Sequence, residues 1–538
     1  MLHKKILYLC TWGIIAMAPI SVLAGQKVLT NSLGETGIDA IKLQSAPYNL
    51  TGKKIAIGQV ELGRPGYFGI DKTFSKSITH GLVRVFYRDE IAKTNANVDN
   101  HAALVAGVMI SNSKGFYGVA PQAKLYSTAV GSPKQTGQTQ QCLSSQHIAR
   151  QNGGNVRAIN FSFGESLERD SRDNPILDGN ALLTQCIDWS AKVHNVLYAI
   201  AGNQGKGGIP IPTDNYNGMT VAYSAMRDGI YTKVDFGNLS MAPVGIGKKL
   251  LNREINAGGR RGVSLVAPGQ NIKVINQNNQ ITKVTGTSFA APHVTGSVAL
   301  LQEYGDQRLK AIYSQPNIQH NWSPDSRKHE VMKAVLLNSA EKIKDTGNGK
   351  FLGMKKTILT KNNKTWLESD AYSDRMIPID YQMGTGQLNV FRAYQQFSAG
   401  QWNPDRPVHS MGWDYNILSV SNYKDYIIDK PLQKDSFISA TLVWDRLVEL
   451  NDQNNNCQYD IGETFINRGL NNLVIYLMKA EDNDINKSIW SSESKIDNIQ
   501  HIFHPIPETG RYKIRVYFKA KVNEDHQNYA LAWWSVSK

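Results

Sequence analysis

Between Lys54 and Tyr304 the apolar residues alternate between short runs of strand length and longer stretches with helical spacing. Lys54–Val60, Val119–Ala129, Ala158–Phe163, Val196–Ala201, Met219–Ser224 and Val263–Ala267 read as strands. Ala102–Ile110, Leu143–Gln151, Ala181–His194 and Ser288–Tyr304 read as helices. Parallel neighbouring strands need a long crossover, normally a helix, so this alternation predicts an α/β fold with a doubly wound parallel sheet. In such sheets the functional groups gather at strand ends and in the loops that follow them.

The pattern changes near Gly400. From about Trp402 helical spacing disappears, and Ser436–Trp444, Asn472–Met478, Arg511–Phe518 and Tyr529–Val536 read as strands separated by turns such as Glu508-Thr509-Gly510. This predicts an all-β module, most simply a sandwich or jelly roll. At 538 residues the chain is longer than one core usually serves. The expected organisation is a leader over residues 1–24, an α/β unit over 25–400 that starts with a short polar lead to about residue 50, and a β unit over 401–538.

His3, Lys4 and Lys5, the apolar run Ile6–Met17, and Val22-Leu23-Ala24 ahead of Gly25 have the order of a signal peptide cleaved near Ala24. Export to the periplasm or the exterior is expected. No later run is long and apolar enough for stable membrane insertion. An oxidising compartment permits a bridge between Cys142 and Cys186, each in a predicted helix, but spacing alone leaves that open. Cys457 would be left over. The formal net charge of +14 favours contact with anionic surfaces or acidic substrates. The basic residues are scattered and no nucleic-acid motif accompanies them, so no nucleic-acid partner is expected.

Gly286-Thr287-Ser288-Phe289-Ala290-Ala291-Pro292-His293-Val294 places a serine directly after a Gly-Thr turn, at the entry to an apolar helix. A helix start offers free N–H groups and positive partial charge, which suit a developing oxyanion. The segment resembles the nucleophile motif of the subtilisin-like serine proteases, G-T-S-x-A-x-P-H. That resemblance implies Ser288 as nucleophile. His101-Ala102-Ala103-Leu104-Val105-Ala106-Gly107 stands where the family has H-G-T-H-V-A-G, keeping the histidine that acts as general base but replacing the Gly-Thr-His after it. Gly118-Val119-Ala120-Pro121-Gln122-Ala123-Lys124-Leu125, which resembles the family's next strand entry, fixes the register.

The family's acid is an aspartate in D-T-G or D-S-G at a strand end. Here Glu61-Leu62-Gly63 takes that place, which makes Glu61 the expected orienting acid. Its task is to accept Nδ1–H of the histidine and stabilise the imidazolium. Asp71 is the second candidate, and Asp99, next to the histidine itself, the third. Ala199-Ile200-Ala201-Gly202-Asn203-Gln204-Gly205 resembles the family's A-A-G-N-x-G and implies Asn203 as an oxyanion-hole donor. Ile159-Asn160-Phe161-Ser162-Phe163-Gly164 resembles its I-N-M-S-L-G, implying that Ser162, Phe163 and Gly164 form the edge that binds an extended substrate backbone. The resemblance runs from about Leu50 to Tyr394. One departure is that only about 25 residues separate the expected cleavage point from the α/β unit, too few for the family's usual inhibitory pro-domain.

In the β module, Asp452-Gln453-Asn454-Asn455-Asn456-Cys457-Gln458-Tyr459-Asp460-Ile461-Gly462-Glu463 has oxygen side chains at Asp452, Asn454, Asn456, Asp460 and Glu463, with the Gln458 carbonyl between them. That is the spacing of a loop wrapping one structural Ca²⁺, although Cys457 replaces the usual glycine. The expected function is a secreted serine endopeptidase acting on protein or peptide substrates, with no cofactor needed for the chemistry. The alternatives are an inactive relative that binds peptides or surfaces, and a narrow processing protease for one exported partner.

Overall fold

The computed structural model describes residues 30–72, 81–113, 115–131, 137–202, 211–227, 230–234, 256–276, 280–314 and 321–538. The expected leader lies outside the described residues. The first unit is built on a ten-stranded, mostly parallel sheet. Its centre runs Met219–Arg227, Leu197–Ala201, Val156–Phe161, Ala56–Glu61, Lys124–Ala129 and Leu82–Tyr87, each parallel to its neighbour. Antiparallel strands flank it at both sides, Ile230–Val234 on Met219–Arg227 and Glu90–Ile91 on Leu82–Tyr87.

Side chains alternate across the sheet, so one strand supplies two cores. Ile57, Ala158 and Ala199 face a core shared with the helices Asn100–Ile110 and Ala291–Ser314. Val60, Ile159 and Ile200 face a second core shared with Gln138–Ala149 and Leu182–His194. Those last two helices are joined by a Cys142–Cys186 disulfide with a Cα separation of 5.8 Å, within the range a disulfide requires.

From Met411 onward the chain forms two four-stranded antiparallel sheets packed as a sandwich. One runs Met411–Ser419, His526–Trp534, Phe437–Val443, Ile499–Pro505. The other runs Tyr423–Ile427, Tyr512–Ala520, Asn472–Lys479, Trp490–Ser492. A hairpin, Leu447–Asn451 with Thr464–Gly469, extends from it and packs on the Leu182–His194 helix. The helix His329–Asn338 lies between the two units, against the strands His526–Trp534 and Phe437–Val443. It is buried along its whole length.

Several boundaries differ from the sequence reading, each for a physical reason. The lead is not simply polar: Leu33, Ile38, Leu43 and Leu50 are buried in the first core. The expected strand Val119–Ala129 begins only at Lys124, because Val119 and Ala120 spend their N–H groups on the carbonyls of Val108 and Met109. The expected strand Ala158–Phe163 ends at Phe161, leaving Ser162–Gly164 beyond the sheet. The Ser288 helix is a 3₁₀ turn, Thr287–Phe289, followed by a separate helix Ala291–Ser314.

Candidate active site

Four segments that are distant in sequence meet at the carboxyl ends of the central strands. Glu61 is the last residue of the Ala56–Glu61 strand, and its side chain is 1% exposed. The chain leaves through Gly63, where a Cβ would lie 2.2 Å from Cβ of Asp99, so only glycine permits this approach. Arg64 then pairs with the next segment: its N–H donates to the Asn97 carbonyl and its own carbonyl accepts from the Asp99 N–H, both at 2.8 Å. This bridge delivers the helix Asn100–Ile110 next to Glu61. His101, in the first turn, sets Nδ1 3.4 Å from Oε2 of Glu61. The distance exceeds that of a tight charge-assisted hydrogen bond, about 2.7–2.9 Å. Oε1 of Glu61 is buried and has no hydrogen-bond partner among the described residues. Burial of the imidazole works against protonation, but the Glu61 carboxylate, helped by Asp99, outweighs it and holds His101 above its ordinary value.

The rival acids have other work. The Asp99 carboxylate caps the histidine helix, accepting from the Ala102 N–H at 2.9 Å. Asp71 is bound on both oxygens by Arg64, at 2.7 and 2.8 Å, and also accepts from the N–H groups of Tyr67 and Asn95 at 2.7 Å. Burial alone would push the Asp71 carboxyl up, yet Arg64 and these N–H groups hold it below the usual carboxylate range. It braces the loop that carries Gly63. Gln59, two residues before Glu61, donates to the Ala102 carbonyl at 2.9 Å and accepts from Ser127 Oγ at 3.1 Å, tying the strand to the helix.

Ser288 sits in the 3₁₀ turn after Gly286, whose φ of 147° favours glycine. The turn is bound to the free end of the Val156–Phe161 strand by a reciprocal pair. Ser288 Oγ donates to the Ser162 carbonyl at 3.2 Å, and Ser162 Oγ donates to the Ser288 carbonyl at 3.0 Å. Asn160 Nδ2 donates to Ser162 Oγ at 2.8 Å. The residue after Ser288, Phe289, brings its ring to 5.6 Å from the His101 ring. Thus the nucleophile turn, the histidine and the expected substrate edge adjoin.

Phe163 stacks on Phe161 with ring centroids 4.3 Å apart and is buried in the second core, so main chain, not its ring, is what this edge presents. His293, also in the serine motif, is fully buried and donates Nδ1–H to the Phe289 carbonyl at 2.7 Å; burial pushes it down to about 4. The sequence reading passed over Glu165, a buried carboxylate just beyond Gly164 that is held by the Gln141 amide and by Arg169 at 3.3 Å. A charged residue directly after an apolar strand and a glycine was the only signal for it. Asn203 lies outside the described residues, although the strand before it ends at Ala201 in the expected place.

A family model, the subtilase family (peptidase S8), matches residues 52–364. The chain belongs to the subtilase family. Among curated relatives, subtilisin DY of Bacillus licheniformis is 29% identical over 209 residues, covering 38% of this chain and 65% of that protein. The major intracellular serine protease of Bacillus subtilis is 28% identical over 238 residues, covering 43% of this chain and 65% of that protein. The chain therefore spans just under two thirds of these relatives' lengths. The solved structure of the prenylagaramide maturation protease PagA aligns with a TM-score of 0.41 at 19% identity, covering 66% of this chain and 98% of that one. The subtilase match ends well before the β-sandwich begins. Among the described residues no helix is long and apolar enough to cross a membrane.

The twelve-residue loop stands at the tip of the Leu447–Asn451/Thr464–Gly469 hairpin. The Asp452 carboxylate accepts from the N–H groups of Asn456 (3.2 Å) and Cys457 (2.7 Å), and Glu463 from those of Gln453 and Asp460, both at 2.9 Å. The amides of Asn454 and Asn456 both point at Asp460, each at 2.7 Å. Cys457 adopts a φ of 59°, the left-handed conformation that glycine normally supplies at this turn. Asp452, Asn454, Asn456, Asp460 and Glu463 thus gather around one turn, their oxygens engaged by N–H groups of the loop itself; these are residue types that can hold a hard cation. The loop is also docked on the first unit. Gln146 brackets Tyr459, accepting from its N–H at 2.6 Å and donating to its carbonyl at 3.1 Å, while Arg150 binds the Gln458 amide.

Proposed function

We propose that this chain is a serine endopeptidase that cleaves peptide bonds through an acyl-enzyme. Ser288 is the nucleophile, His101 the general base, Glu61 the orienting acid and Asn203 an oxyanion donor. The observation that carries this reading is the approach of buried Glu61 to Nδ1 of His101. It leaves Nε2 as the base. Ser288 Oγ, now on the Ser162 carbonyl, has to leave it to donate to His101. Such contacts commonly tighten only when substrate is bound. Glu61 accepts a hydrogen bond from Nδ1–H, fixes the tautomer, and stabilises the imidazolium formed as Ser288 attacks. The main chain of Ser162–Gly164 pairs with an extended substrate segment, and recognition through main chain admits many sequences. Exported protein or peptide substrates, and secretion after removal of the leader near Ala24, belong to the same reading.

The test is labelling with a serine-directed fluorophosphonate alongside hydrolysis of denatured casein. Labelling of the wild type but not of Ser288→Ala, with Ser288→Ala inert towards casein and unchanged in melting temperature, is expected. An unlabelled wild type that hydrolyses nothing would sink the enzyme reading.

We also propose that Asp452, Asn454, Asn456, Asp460 and Glu463, with the Gln458 carbonyl, hold one Ca²⁺. The ion stiffens the hairpin tip against the helix Gln138–Ala149 and takes no part in the chemistry.

A further inference from the structure

A buried cluster that neither the peptidase chemistry nor the calcium loop uses lies where the helix His329–Asn338 meets the β-sandwich. His329, Glu330 and Asp445 meet there, on side chains 2%, 9% and 6% exposed. Asp445 belongs to the turn after the Phe437–Val443 strand of the sandwich, whereas His329 and Glu330 belong to the first unit. The ring bridges the two. Nε2 stands 3.2 Å from Asp445 Oδ1, and Nδ1 stands 3.1 Å from Glu330 Oε2 and 3.2 Å from Asn195 Oδ1.

Asn195 fixes one of the ring protons. Its amide is oriented by its own contacts, since Nδ2 donates to the Arg327 carbonyl at 3.2 Å and Oδ1 accepts from the His329 N–H at 2.9 Å. Nδ1 thus faces two acceptors, the Asn195 carbonyl oxygen and a carboxylate oxygen, and has to donate. A neutral ring would then turn the Nε2 lone pair on Asp445 Oδ1 with no proton between them. A second proton converts that repulsion into a charge-assisted hydrogen bond and gives each carboxylate one N–H of the same cation. Burial works against charging the ring, but the Asp445 and Glu330 carboxylates outweigh it and hold His329 above its ordinary 6.5.

We propose that the Nε2 proton of His329 is a pH-sensitive clamp between the sandwich and the first unit: it ties Asp445 to the ring while the ring is an imidazolium, and its loss sets a buried lone pair against a buried carboxylate and loosens the seam. The clamp is independent of the peptidase reading. Because the ring titrates higher in the folded chain than in the unfolded one, its contribution is whole below 6.5 and is lost as pH rises through the folded value. Among the described residues, the other charged groups around the ring do not imitate this. Lys333, one turn along the helix, donates to the Tyr216 carbonyl at 2.5 Å, and burial pushes it down to about 8. A depressed lysine makes stability rise with pH, the opposite sign. Burial pushes Glu330 up, but its effect sets in from 4.5, below the window of the ring. Tyr415 donates to the other Glu330 oxygen at 3.3 Å, and burial raises it further from neutrality. Lys192, Lys328, Glu524 and His526 line a cavity of about 370 Å³ beside the cluster. Of these residue types only histidine changes charge near neutrality, so His526 needs a control.

The test uses the full chain. NMR of the histidine ring nitrogens, with His329 assigned by the signals missing in His329→Gln, should show two ring protons at about pH 6 and a titration midpoint above the ordinary histidine value of about 6.5. In Asp445→Asn the midpoint should fall by about 1–3 pH units, the range for losing an adjacent opposite charge. In parallel, the wild-type melting temperature should drop as pH rises from about 6.5 to about 9. Asp445→Asn, with near-ultraviolet circular dichroism confirming its fold, should drop less, and His526→Gln should drop like the wild type. A wild-type midpoint at or below the ordinary histidine value would place the proton on a carboxylate and overturn the proposal, and that measurement needs no variant. So would a midpoint unmoved in Asp445→Asn, or a melting profile flattened in His526→Gln and kept in Asp445→Asn.

Discussion

Replacing Glu61 by Gln removes one charge and almost no volume, so it isolates what the carboxylate does for His101. The amide can present either its oxygen or its NH₂ to Nδ1, and none of the described residues selects between them, because Oε1 lacks a partner among them. Where the amide donates, the ring is left in the wrong tautomer and Ser288 has no base. In a serine-protease triad the comparable change lowers turnover about 10⁴-fold, or about 5.5 kcal/mol in the barrier. The contact of 3.4 Å is longer than an ideal one, so a loss between about 10³ and 10⁴ is expected. The pH profile gives a second readout. In the wild type Glu61 holds His101 above its ordinary 6.5 against burial. The acid limb of kcat/KM should therefore lie above that value, with activity rising as His101 loses its proton. Without the carboxylate burial prevails, so the limb of Glu61→Gln should move to lower pH. Asp71→Asn is the control. It weakens the buried pair with Arg64, and breaking such a pair costs about 3–5 kcal/mol. Melting temperature should fall, while the limb in the folded fraction stays put. The assignment is refuted if Asp71→Asn moves the limb and Glu61→Gln leaves both rate and limb near wild type.

Three further outcomes follow from particular contacts. Calcium should raise the melting temperature, and Asp452→Ala combined with Glu463→Ala should abolish that rise; a melting temperature indifferent to chelation in the wild type removes the calcium proposal. Serine at both Cys142 and Cys186 opens a loop with a sequence separation of 44, for which chain entropy gives about 4 kcal/mol; denaturant titration should show a loss in the range of about 2–5 kcal/mol. In Gly58→Ala the new Cβ would lie 2.3 Å from Ile148 and 2.8 Å from Ile159, so overpacking should cost about 1–3 kcal/mol, and a fully stable variant would mean that the Gln138–Ala149 helix can retreat freely.

Much of this architecture is legible in the sequence because its signals are local. Leu197–Ala201 is a continuous apolar run and Ala56–Glu61 is buried at every position, since helices cover both faces, and the Gly-Thr-Ser turn needs its residue types within a few positions. The β-sandwich was less legible. Met411–Ser419 and Tyr423–Ile427 escaped because they mix buried and exposed positions without clean alternation. The hairpin Leu447–Asn451/Thr464–Gly469 escaped because most of its side chains face solvent. Choosing among Glu61, Asp71 and Asp99 needed tertiary structure. All three are acids upstream of His101, and only the Arg64 pair and the helix cap show that two are already occupied.

The seam between the two units was invisible for a related reason. His329–Asn338 reads as an ordinary apolar helix, since a helix buried by one partner and a helix buried by two differ only in what fills its polar positions. Those positions carry the long-range connections. Asn338 accepts from Ser439 Oγ at 2.8 Å and Thr441 Oγ1 at 2.9 Å, both on the Phe437–Val443 strand of the sandwich. Arg446, buried in the same seam, binds Asp188 at 2.5 Å and the Gly179 carbonyl at 2.8 Å in the first unit. Charged and amide groups buried this deeply are costly unless both partners stay in place. Loss of the sandwich would therefore take Arg446 from one oxygen of Asp188, leaving the other on the N–H groups of Tyr216 and Asn217, and would take both hydroxyls from Asn338. The sandwich is thus part of what keeps the helices behind the central sheet folded.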